Sequence, residues 1–340
     1  MNKITKLFDQ NFVRELLTKE IIPLYPDVSG IGEIEIVYHK KNVWETTYHV
    51  VVEYKIILAR IGAPPEPINI FCTAHSSEPR EKVYKSLSFL HEHDFDSVDL
   101  TVPRPLFYSE YFNATFYQGV VGHNLYHYIR DNNYGEIEKI VGMCAAWFAK
   151  LHTLPVDKAK NFLDEVRVSQ VVPGYEYVLK KIKERQPAFL DQATVIFDHI
   201  KDQEKEFLYS TKERWLVHGD AHPENIIKTG TGKLAVIDFT DLCLSDFARD
   251  LGAFTQQFEY MCINKLDDQL FIAQVKNIFL DKYREYANIK MDSTLEKRIE
   301  NYFNWSAFRT AIFFIIGHIN KPHRAEPLIS KILEHITHST

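Results

Sequence analysis

The chain has 340 residues, 45% of them hydrophobic, which is long enough for two compact units that each have their own core. The formal net charge of −6 offers no electrostatic basis for binding nucleic acid, so we expect no such partner. The four cysteines form no C-x-x-C pair, which indicates reduced thiols and a cytoplasmic protein. The first ten residues lack the apolar core of a signal peptide. The longest apolar run, 311–316, is too short to cross a bilayer, so we expect no membrane partner.

The first third of the chain predicts strands and two helices. An amphipathic helix is predicted for 3–22 and a second for 78–92. Strands are predicted at 34–38, 46–58, 68–73, 106–108 and 113–117. This order favours a mixed β-sheet with a helix packed against it.

From residue 125 the chain is predicted to be mainly helical. Helices are predicted at 136–152, 175–183, 190–208, 250–260, 267–287, 295–317 and 326–338. A sheet-forming first part followed by helices indicates an α+β fold.

The segment 215–252 interrupts the helices and carries the candidate chemistry. Its centre is the sequence HGDAHPEN at 218–225. Asp220 and Asn225 have the five-residue separation that the catalytic loop of protein kinases gives to its Asp and Asn. Asp238, in the sequence VIDF, then falls where such a kinase places the Asp of its D-F-G.

These residue types suit phosphoryl transfer. The residues between Asn225 and Asp238 predict a β-hairpin with a glycine-containing turn, which would bring the two side chains together. Magnesium prefers oxygen ligands, so we expect Asn225 and Asp238 to bind Mg²⁺. Asp220 would accept or orient the proton of an acceptor hydroxyl, and His218 would brace the loop.

Two other interpretations use the same residues. His218, Asp220 and His222 form an H-x-D-x-H pattern that could bind zinc if they alternate on a strand, although Pro223 follows at once. Farther along, Asp246 and Asp250 are one helical turn apart. They could simply cap and charge the start of a helix near residue 247.

The segment resembles the aminoglycoside phosphotransferase and choline kinase family, small-molecule kinases with a protein-kinase-like fold. The family pattern is H-G-D-x-H-x-x-N, then I-D-[WF], then G-D-x-x-x-D-L. The chain matches it at 218–225, 237–239 and 245–251, except that Ser245 replaces a glycine. The resemblance implies a two-lobed α+β fold. A nucleotide-binding lobe would cover 1–117, a hinge 118–122, and a catalytic and substrate-binding lobe 123–340.

The resemblance also implies where a nucleotide would bind. The turn 39–45 would cover the phosphates, with Lys40 and Lys41 in contact by charge, although it contains no glycine. A solvated basic hairpin tip is the structural alternative. The carbonyl of Gln118 and the N–H of Val120 would bind the purine of ATP or GTP.

One strand departs from the family. Kinases of this type carry a lysine in the strand that corresponds to 68–75, paired with a Glu on the next helix. This strand has no lysine, and Glu81 on that helix lacks the expected partner. Lys55, His75 or Arg80 would have to substitute, or nothing does.

The function implied is Mg²⁺-dependent transfer of the γ-phosphoryl of ATP or GTP to a hydroxyl of a small molecule. Aminoglycosides, choline-like amines, sugars and amino alcohols all remain open as acceptors. A mildly acidic chain is a weak hint toward a cationic one. Candidate residues for the acceptor wall are Glu259, Tyr260, Trp305 and Arg309. The alternative is a pseudokinase, a nucleotide- or partner-binding protein with weak or no catalysis.

Overall fold

The structure is a computed structural model that describes residues 2–97, 99–317 and 321–338. Its contacts group the chain into two compact units. The first, here called the β unit, contains the residues up to His123 together with Ile227–Thr240. The second, the helical unit, contains Asn124–Ile226 and the residues from Asp241 onward. The lobe limits implied by the resemblance, at 117 and 123, stay a prediction.

Strands and helices are numbered here in chain order. The strands are β1 (Val28–Val43), β2 (Tyr48–Arg60), β3 (Glu66–His75), β4 (Leu100–Thr101), β5 (Arg104–Ser109), β6 (Ala114–Gln118), β7 (His123–Asn124), β8 (Trp215–Val217), β9 (Ile226–Gly230), β10 (Lys233–Val236) and β11 (Cys243–Ser245). The helices are α1 (Gln10–Ile21), α2 (Glu81–His91), α3 (Leu125–Arg130), α4 (Tyr134–His152), α5 (Tyr175–Arg185), α6 (Leu190–Ser210), α7 (Ala248–Ile263), α8 (Gln269–Ala287), α9 (Ser293–Ile316) and α10 (Pro322–His338).

The main sheet of the β unit has the strand order β1-β2-β3-β6-β5, and its neighbouring strands are antiparallel. Alternation puts the even-numbered side chains of β2, such as Val52 and Tyr54, on one buried face. Helix α1 adds Val13 and Leu17 to the same core. The helix starts where Asp9 accepts a hydrogen bond from the N–H of Phe12 at 2.8 Å.

The phosphate-covering turn predicted at 39–45 is wrong in position. Residues 39–43 belong to β1, which pairs with β2 as far as Val43 opposite Tyr48. The reversal occurs at 44–47, where Trp44 N–H donates to the Thr47 carbonyl at 2.9 Å. The sequence did not indicate this extension because ladder pairing uses the backbone, and the side chains of 39–42 are polar and exposed.

A second sheet has the order β4-β10-β9-β7. It contains the hairpin that the sequence predicts, with β9 and β10 joined by a turn at Thr231 and Gly232. Strand β10 also pairs in parallel with β4, where Leu234 lies opposite Leu100. The hairpin ends two residues before Asp238.

The helical unit is built on the contact between α7 and α9. A side chain at Gly252 of α7 would put a Cβ 2.5 Å from the Ile299 carbonyl oxygen of α9, so glycine permits this close approach. Strands β8 and β11 pair antiparallel, with Val217 opposite Cys243. The loop 218–225 follows β8 and α7 follows β11, so this pairing brings the loop to the start of α7. Among the residues described, no helix is long and apolar enough to cross a membrane.

Candidate active site

Asp250, in the first turn of α7, holds the backbone of the loop after β8. Its carboxylate is fully buried and accepts hydrogen bonds from the N–H of His218 at 2.7 Å and of Gly219 at 2.9 Å. His152 Nε2 lies 3.1 Å from the same carboxylate, and Tyr283 contacts His152 Nδ1 at 2.8 Å. Burial acts to raise the pKa of Asp250, but the hydrogen bond and charge of His152 and the positive influence of His218 lower it overall. The carboxylate is therefore ionised.

Both aspartates lie at the start of α7, as the capping interpretation predicts, but they have different partners. Asp250 is the acidic residue of the first turn, yet its side chain accepts hydrogen bonds from the loop and not from the helix. Asp246 Oδ1 accepts from Ala248 N–H at 3.0 Å, at the start of α7. Its other oxygen lies 3.6 Å from Arg298 Nε, and burial raises the pKa of Asp246 to about 6. The spacing of the two aspartates could not reveal this division because their partners come from distant segments.

His218 braces the loop from inside the core, as predicted. Its ring is fully buried, 6.2 Å from the ring of Trp147 and 6.4 Å from that of Phe148. Its Nδ1 accepts from the Asp220 N–H at 3.3 Å. Gly219 has φ +83°, and a Cβ there would lie 2.5 Å from the Asp241 carbonyl oxygen. Only glycine fits this position, which accounts for the G of H-G-D.

Asp220 is half-buried and keeps its negative charge. His222 Nδ1 accepts from the Glu224 N–H at 3.3 Å, which leaves Nε2 to carry the proton and face Asp220 Oδ2 at 3.4 Å. Burial acts to raise the pKa of Asp220, but the hydrogen bond and charge of His222, then His218 and Arg309, lower it to about 2. An ionised carboxylate of this kind can accept a hydrogen bond from an alcohol.

The zinc interpretation of His218, Asp220 and His222 is wrong. The part of the chain that the structure describes holds no group of three His, Cys, Asp or Glu side chains placed to bind a metal. His218 lies in an aromatic core, and its Nδ1 is occupied by a backbone N–H.

Asn225, predicted to be a metal ligand, is buried at the end of the turn Pro223–Asn225. Its Nδ2 donates to the Asp220 carbonyl at 3.0 Å. Since Nδ2 is the atom that donates, Oδ1 is left as the oxygen that can accept a metal. The same bond ties Asn225 to Asp220 within the helical unit.

Asp238, the second predicted ligand, belongs to the β unit. Its side chain is exposed, its φ is +64°, and its Oδ1 accepts from Thr240 N–H at 3.3 Å. Asp tolerates this left-handed conformation better than most residues because its side chain bonds locally. Burial first, and then the charge of Asp238, raise the pKa of Tyr117. The exposed carboxylate of Asp238 is an oxygen donor of the type that Mg²⁺ prefers.

The two lysines of the predicted phosphate loop point in different directions. Lys41 Nζ lies 3.9 Å from the ring centroid of Tyr38 and 4.5 Å from that of Phe8. The positive charge of Lys40, one position earlier on the strand, instead affects the pKa of His49. Burial, and then the positive charges of Lys40 and of nearby Arg80, lower the pKa of His49 to about 4.

The predicted hinge residues lie at the end of β6 and just beyond it. Gln118 is the last residue of the strand, and its Oε1 accepts from Tyr25 OH at 2.8 Å. Gly119 N–H donates to the Asn69 carbonyl at 2.8 Å, and Val120 follows in the connection.

The structure shows the surroundings of the residues that were candidates to replace the strand lysine. Lys55 pairs with Glu35 at 3.2 Å in an exposed position, so it is no substitute. Glu81 is exposed and pairs with Lys85 on its own helix at 3.0 Å. Arg80 is buried, and its Nε has no hydrogen-bond partner in the described part of the chain.

The four candidate wall residues do not form one wall. Glu259 pairs with Lys331 at 2.5 Å and with Lys276. Tyr260 OH accepts from Arg324 Nη2 at 2.9 Å. Trp305 and Arg309 line a cavity of 280 Å³ to which Glu259 and Tyr260 do not contribute. Helical spacing in the sequence could not separate these faces, because they depend on which helices are neighbours.

This chain is similar in fold to solved kinases of small molecules. Amicoumacin kinase hAmiN, solved with AMP-PNP, Ca²⁺ and Ami, gives a TM-score of 0.62 at 13% identity, covering 97% of this chain and 95% of that one. Plasmodium vivax ethanolamine kinase gives 0.55 at 13% identity, covering 88% and 81%. Choline kinase LicA from Streptococcus pneumoniae gives 0.54 at 13% identity, covering 94% and 99%. The kinase-like α+β fold, with an N-terminal sheet and a mainly helical remainder, is thereby confirmed.

Residues 69–284 match the phosphotransferase enzyme family, and the chain belongs to that family. The resemblance to small-molecule kinases stated from the sequence is confirmed. No curated protein matches the chain.

Proposed function

We propose that the protein is a Mg²⁺-dependent kinase that transfers the γ-phosphoryl of ATP or GTP to a hydroxyl of a small molecule. The proposal rests on the ionisation and placement of the Asp220 carboxylate. Its carboxylate is held ionised in a loop whose backbone is fixed by the buried Asp250. A positioned carboxylate beside the acceptor hydroxyl is what phosphoryl transfer asks of the protein.

Each predicted site residue has a role in this proposal. Asp220 accepts the hydrogen bond of the acceptor hydroxyl and orients its oxygen toward the phosphorus. Asn225 Oδ1 and the Asp238 carboxylate would hold Mg²⁺, which supplies charge neutralisation to the phosphates when bound. The carbonyl of Gln118 and the N–H of Val120 would bind the purine.

On the phosphate side we assign Lys40 in preference to Lys41. Lys41 is engaged with the rings of Tyr38 and Phe8, whereas Lys40 shares its surroundings with His49, His75 and Arg80. We propose that Arg80, whose Nη1 lies 3.6 Å from Glu78, supplies the positive charge that the strand lysine supplies elsewhere in the family. His75 is not assigned this role, because its Nδ1 accepts hydrogen bonds from the N–H groups of Ser77 and Glu78. The lobes proposed for this chemistry are 1–117 and 123–340, joined by the hinge 118–122.

Calorimetric titration with ATP and with GTP, each with and without Mg²⁺, tests the proposal. We expect tight binding of one nucleotide only when Mg²⁺ is present. Asp238→Ala should weaken that binding, since losing even an indirect metal contact typically lowers metal affinity about 10–100-fold. Asp157→Ala, which changes a side chain that is 92% exposed, is the control and should bind like the wild type.

Three results would count against the proposal. Binding that is independent of Mg²⁺, or unchanged in Asp238→Ala, would remove Asp238 as a ligand. No binding of either nucleotide would favour a protein that has kept the fold without the reaction. Binding with no phosphorylated product from any acceptor alcohol would favour the pseudokinase alternative.

A further inference from the structure

Tyr283, on α8, ends a chain of buried hydrogen bonds that begins at the loop after β8. Its hydroxyl lies 2.8 Å from His152 Nδ1, and the other nitrogen of that ring, Nε2, lies 3.1 Å from Asp250 Oδ2. All three side chains are buried, since Tyr283 is 1% exposed, His152 4% and Asp250 0%. Asp250 in turn accepts from the two backbone N–H groups that precede Asp220. A hydroxyl on α8 is thus connected to the loop through two side chains.

The two ends of this chain fix the direction of its hydrogen bonds. Asp250 is ionised, so its carboxylate can only accept, and His152 Nε2 has to carry a proton. At the other end, burial, and then the negative charge of Asp250, raise the pKa of Tyr283, so the phenol keeps its proton. In the described part of the chain that hydroxyl has no hydrogen-bond partner besides His152. His152 Nδ1 is then the acceptor that the buried O–H group needs.

A neutral His152 ring satisfies every partner in this chain. With one proton, on Nε2, the ring donates to Asp250 and accepts from Tyr283. With a second proton on Nδ1, the Tyr283 O–H would lose its acceptor in the core, which is unfavourable for a buried polar group. The ring needs no charge to keep Asp250 ionised, because three N–H donors on one carboxylate stabilise its charged form.

Asp250 Oδ2 is the atom at which a charged ring would disturb the loop. This oxygen accepts from His152 Nε2–H at 3.1 Å and from His218 N–H at 2.7 Å. A charged donor forms a shorter and stronger hydrogen bond than a neutral one, so an imidazolium would draw the oxygen away from the loop. The loop leads directly to Asp220, whose N–H donates to His218 Nδ1 at 3.3 Å. A shift at His218 therefore reaches the residue that carries the proposed acceptor carboxylate.

Other titratable or charged groups face this chain from the neighbouring elements. They are His218 and Cys144 beside Asp250, and Asp246 and Arg298 beside Tyr283. Burial raises the pKa of the Cys144 thiol, so it stays neutral. Burial also raises the pKa of Asp246 to about 6, so Asp246 titrates near neutral pH. These groups are the same in a protein that lacks only the Tyr283 hydroxyl, so a comparison with the wild type isolates the hydroxyl.

We propose that Tyr283 is a positioning residue for phosphoryl transfer. Its hydroxyl keeps His152 neutral, with the one ring proton on Nε2, so that the charge of Asp250 stays directed at the loop N–H groups and Asp220 stays aligned. The inference rests on the proposed function. It adds to the site a residue from α8, outside the segment 215–252 that carries the sequence motifs.

Nitrogen-15 NMR of the full chain labelled at histidine tests the state of the ring without any turnover. In the wild type, His152 should show an unprotonated Nδ1 and a protonated Nε2 from about pH 6 to pH 8. His152→Gln removes these signals and so assigns them. Tyr283→Phe deletes only the hydroxyl and should increase the doubly protonated fraction of His152 at pH 6. Tyr286→Phe, at a tyrosine that is 57% exposed on the same helix, is the control and should leave the ring unchanged.

Turnover and amide exchange measure the consequence at the loop. Tyr283→Phe should lower kcat about tenfold at pH 6 and less at pH 8, with the KM for nucleotide unchanged. Hydrogen exchange of the His218 and Gly219 amides should be faster in the same variant and unchanged in Tyr286→Phe. His152→Gln keeps an N–H donor for Asp250 but cannot gain a charge. Adding Tyr283→Phe to that variant should therefore introduce no further pH dependence of kcat.

Two results on the ring would overturn the inference. One is a wild-type His152 that carries a proton on Nδ1, a result that requires no variant to fold. The other is a ring that is unchanged in Tyr283→Phe. A changed ring with wild-type kcat at pH 6 would equally refute the positioning role. The expected ring state and amide exchange in a protein that phosphorylates no alcohol would contradict the proposed function and leave Tyr283 with a structural role. The expected ring change together with the expected loss of kcat supports both.

Discussion

Ionisation at single residues sets the chemistry that this loop can perform. Asp220 would have a raised pKa from its burial alone, yet its charged neighbours lower it to about 2. His222 contributes most to this lowering, and the sequence pattern marks it only as the second H of H-G-D-x-H. The carboxylate is therefore ionised over the range of pH in which a kinase works.

Asp220→Ala is expected to lower kcat by about 10²–10⁴-fold, the usual contribution of a positioned acid or base, with nucleotide affinity retained. Steady-state kinetics and calorimetry on the same preparation would measure both. Glu224→Gln, an exposed acid in the same loop, should keep normal turnover. Normal turnover in Asp220→Ala would show that the assigned role is wrong.

Backbone conformation at Gly219 leads to a second prediction. Gly219→Ala should destabilise the protein by about 1–3 kcal/mol, because φ is +83° and the new Cβ would lie 2.5 Å from the Asp241 carbonyl. Gly142→Ala is the matched control in the interior of α4, where nothing lies within 4 Å of the added Cβ. That change should stabilise by about 0.5–1 kcal/mol. Denaturant unfolding that gives both variants the same sign would refute the argument.

At the scale of elements, one buried carboxylate joins α7, α4 and the loop after β8. Asp250 accepts from His218 and Gly219 and pairs with His152 of α4, which is held in turn by Tyr283 of α8. The loop position is thus set by helices that are distant in sequence.

Asp250→Asn is expected to destabilise the protein by about 3–5 kcal/mol. The substitution removes a buried negative charge from the N–H groups of His218 and Gly219, and the amide that replaces it has only one oxygen to accept their hydrogen bonds. Urea unfolding followed by circular dichroism measures this loss. Asp281→Asn removes an exposed ion pair on α8 and should change stability by less than about 1 kcal/mol. Equal midpoints for the two variants would mean that Asp250 does not hold the loop.

At the scale of the whole molecule, the structure predicts that stability falls as pH rises toward neutrality. Glu204 of α6 accepts from Val168 N–H at 2.9 Å and from Tyr302 OH at 3.1 Å, but its burial raises the pKa of its carboxyl to about 7. The native state therefore binds more protons than the unfolded state between about pH 4.5 and 7. In this window the free energy of unfolding decreases with increasing pH.

Glu204→Gln should remove the part of that decrease that Glu204 contributes, which amounts to about 3 kcal/mol at most for a shift of this size. A smaller decrease should remain below about pH 6, because burial also raises the pKa of Asp246 to about 6. Relative to the wild type, the variant should gain stability between pH 5 and pH 8 in urea unfolding experiments. Glu206→Gln, exposed on the same helix, should keep the wild-type slope. A parallel pH dependence in wild type and Glu204→Gln would show that Glu204 is ionised throughout.

Local patterns in the sequence were enough for the family and for most of the helices and strands, although not for the extent of β1. Alternation along β2 and apolar periodicity along the helices predicted the order of a sheet followed by helices, because both report which face of an element is buried. The spacing within 218–251 predicted the kinase-like loop and the hairpin after it, because those residues are consecutive. The predicted roles of Asp220, Asn225 and Asp238 stay predictions that the experiments above can test.

Contacts between distant segments decided the partners and surroundings of the site residues. The sequence by itself determined the fold class, the catalytic-loop pattern and the absence of a lysine in β3. Only the tertiary structure decided that Asp250 anchors the loop, that Lys40 and Lys41 diverge, and that Trp305 and Arg309 line a cavity apart from Glu259 and Tyr260. The reason is physical: charge, burial and cavity shape depend on partners supplied by other elements, and no local pattern records them.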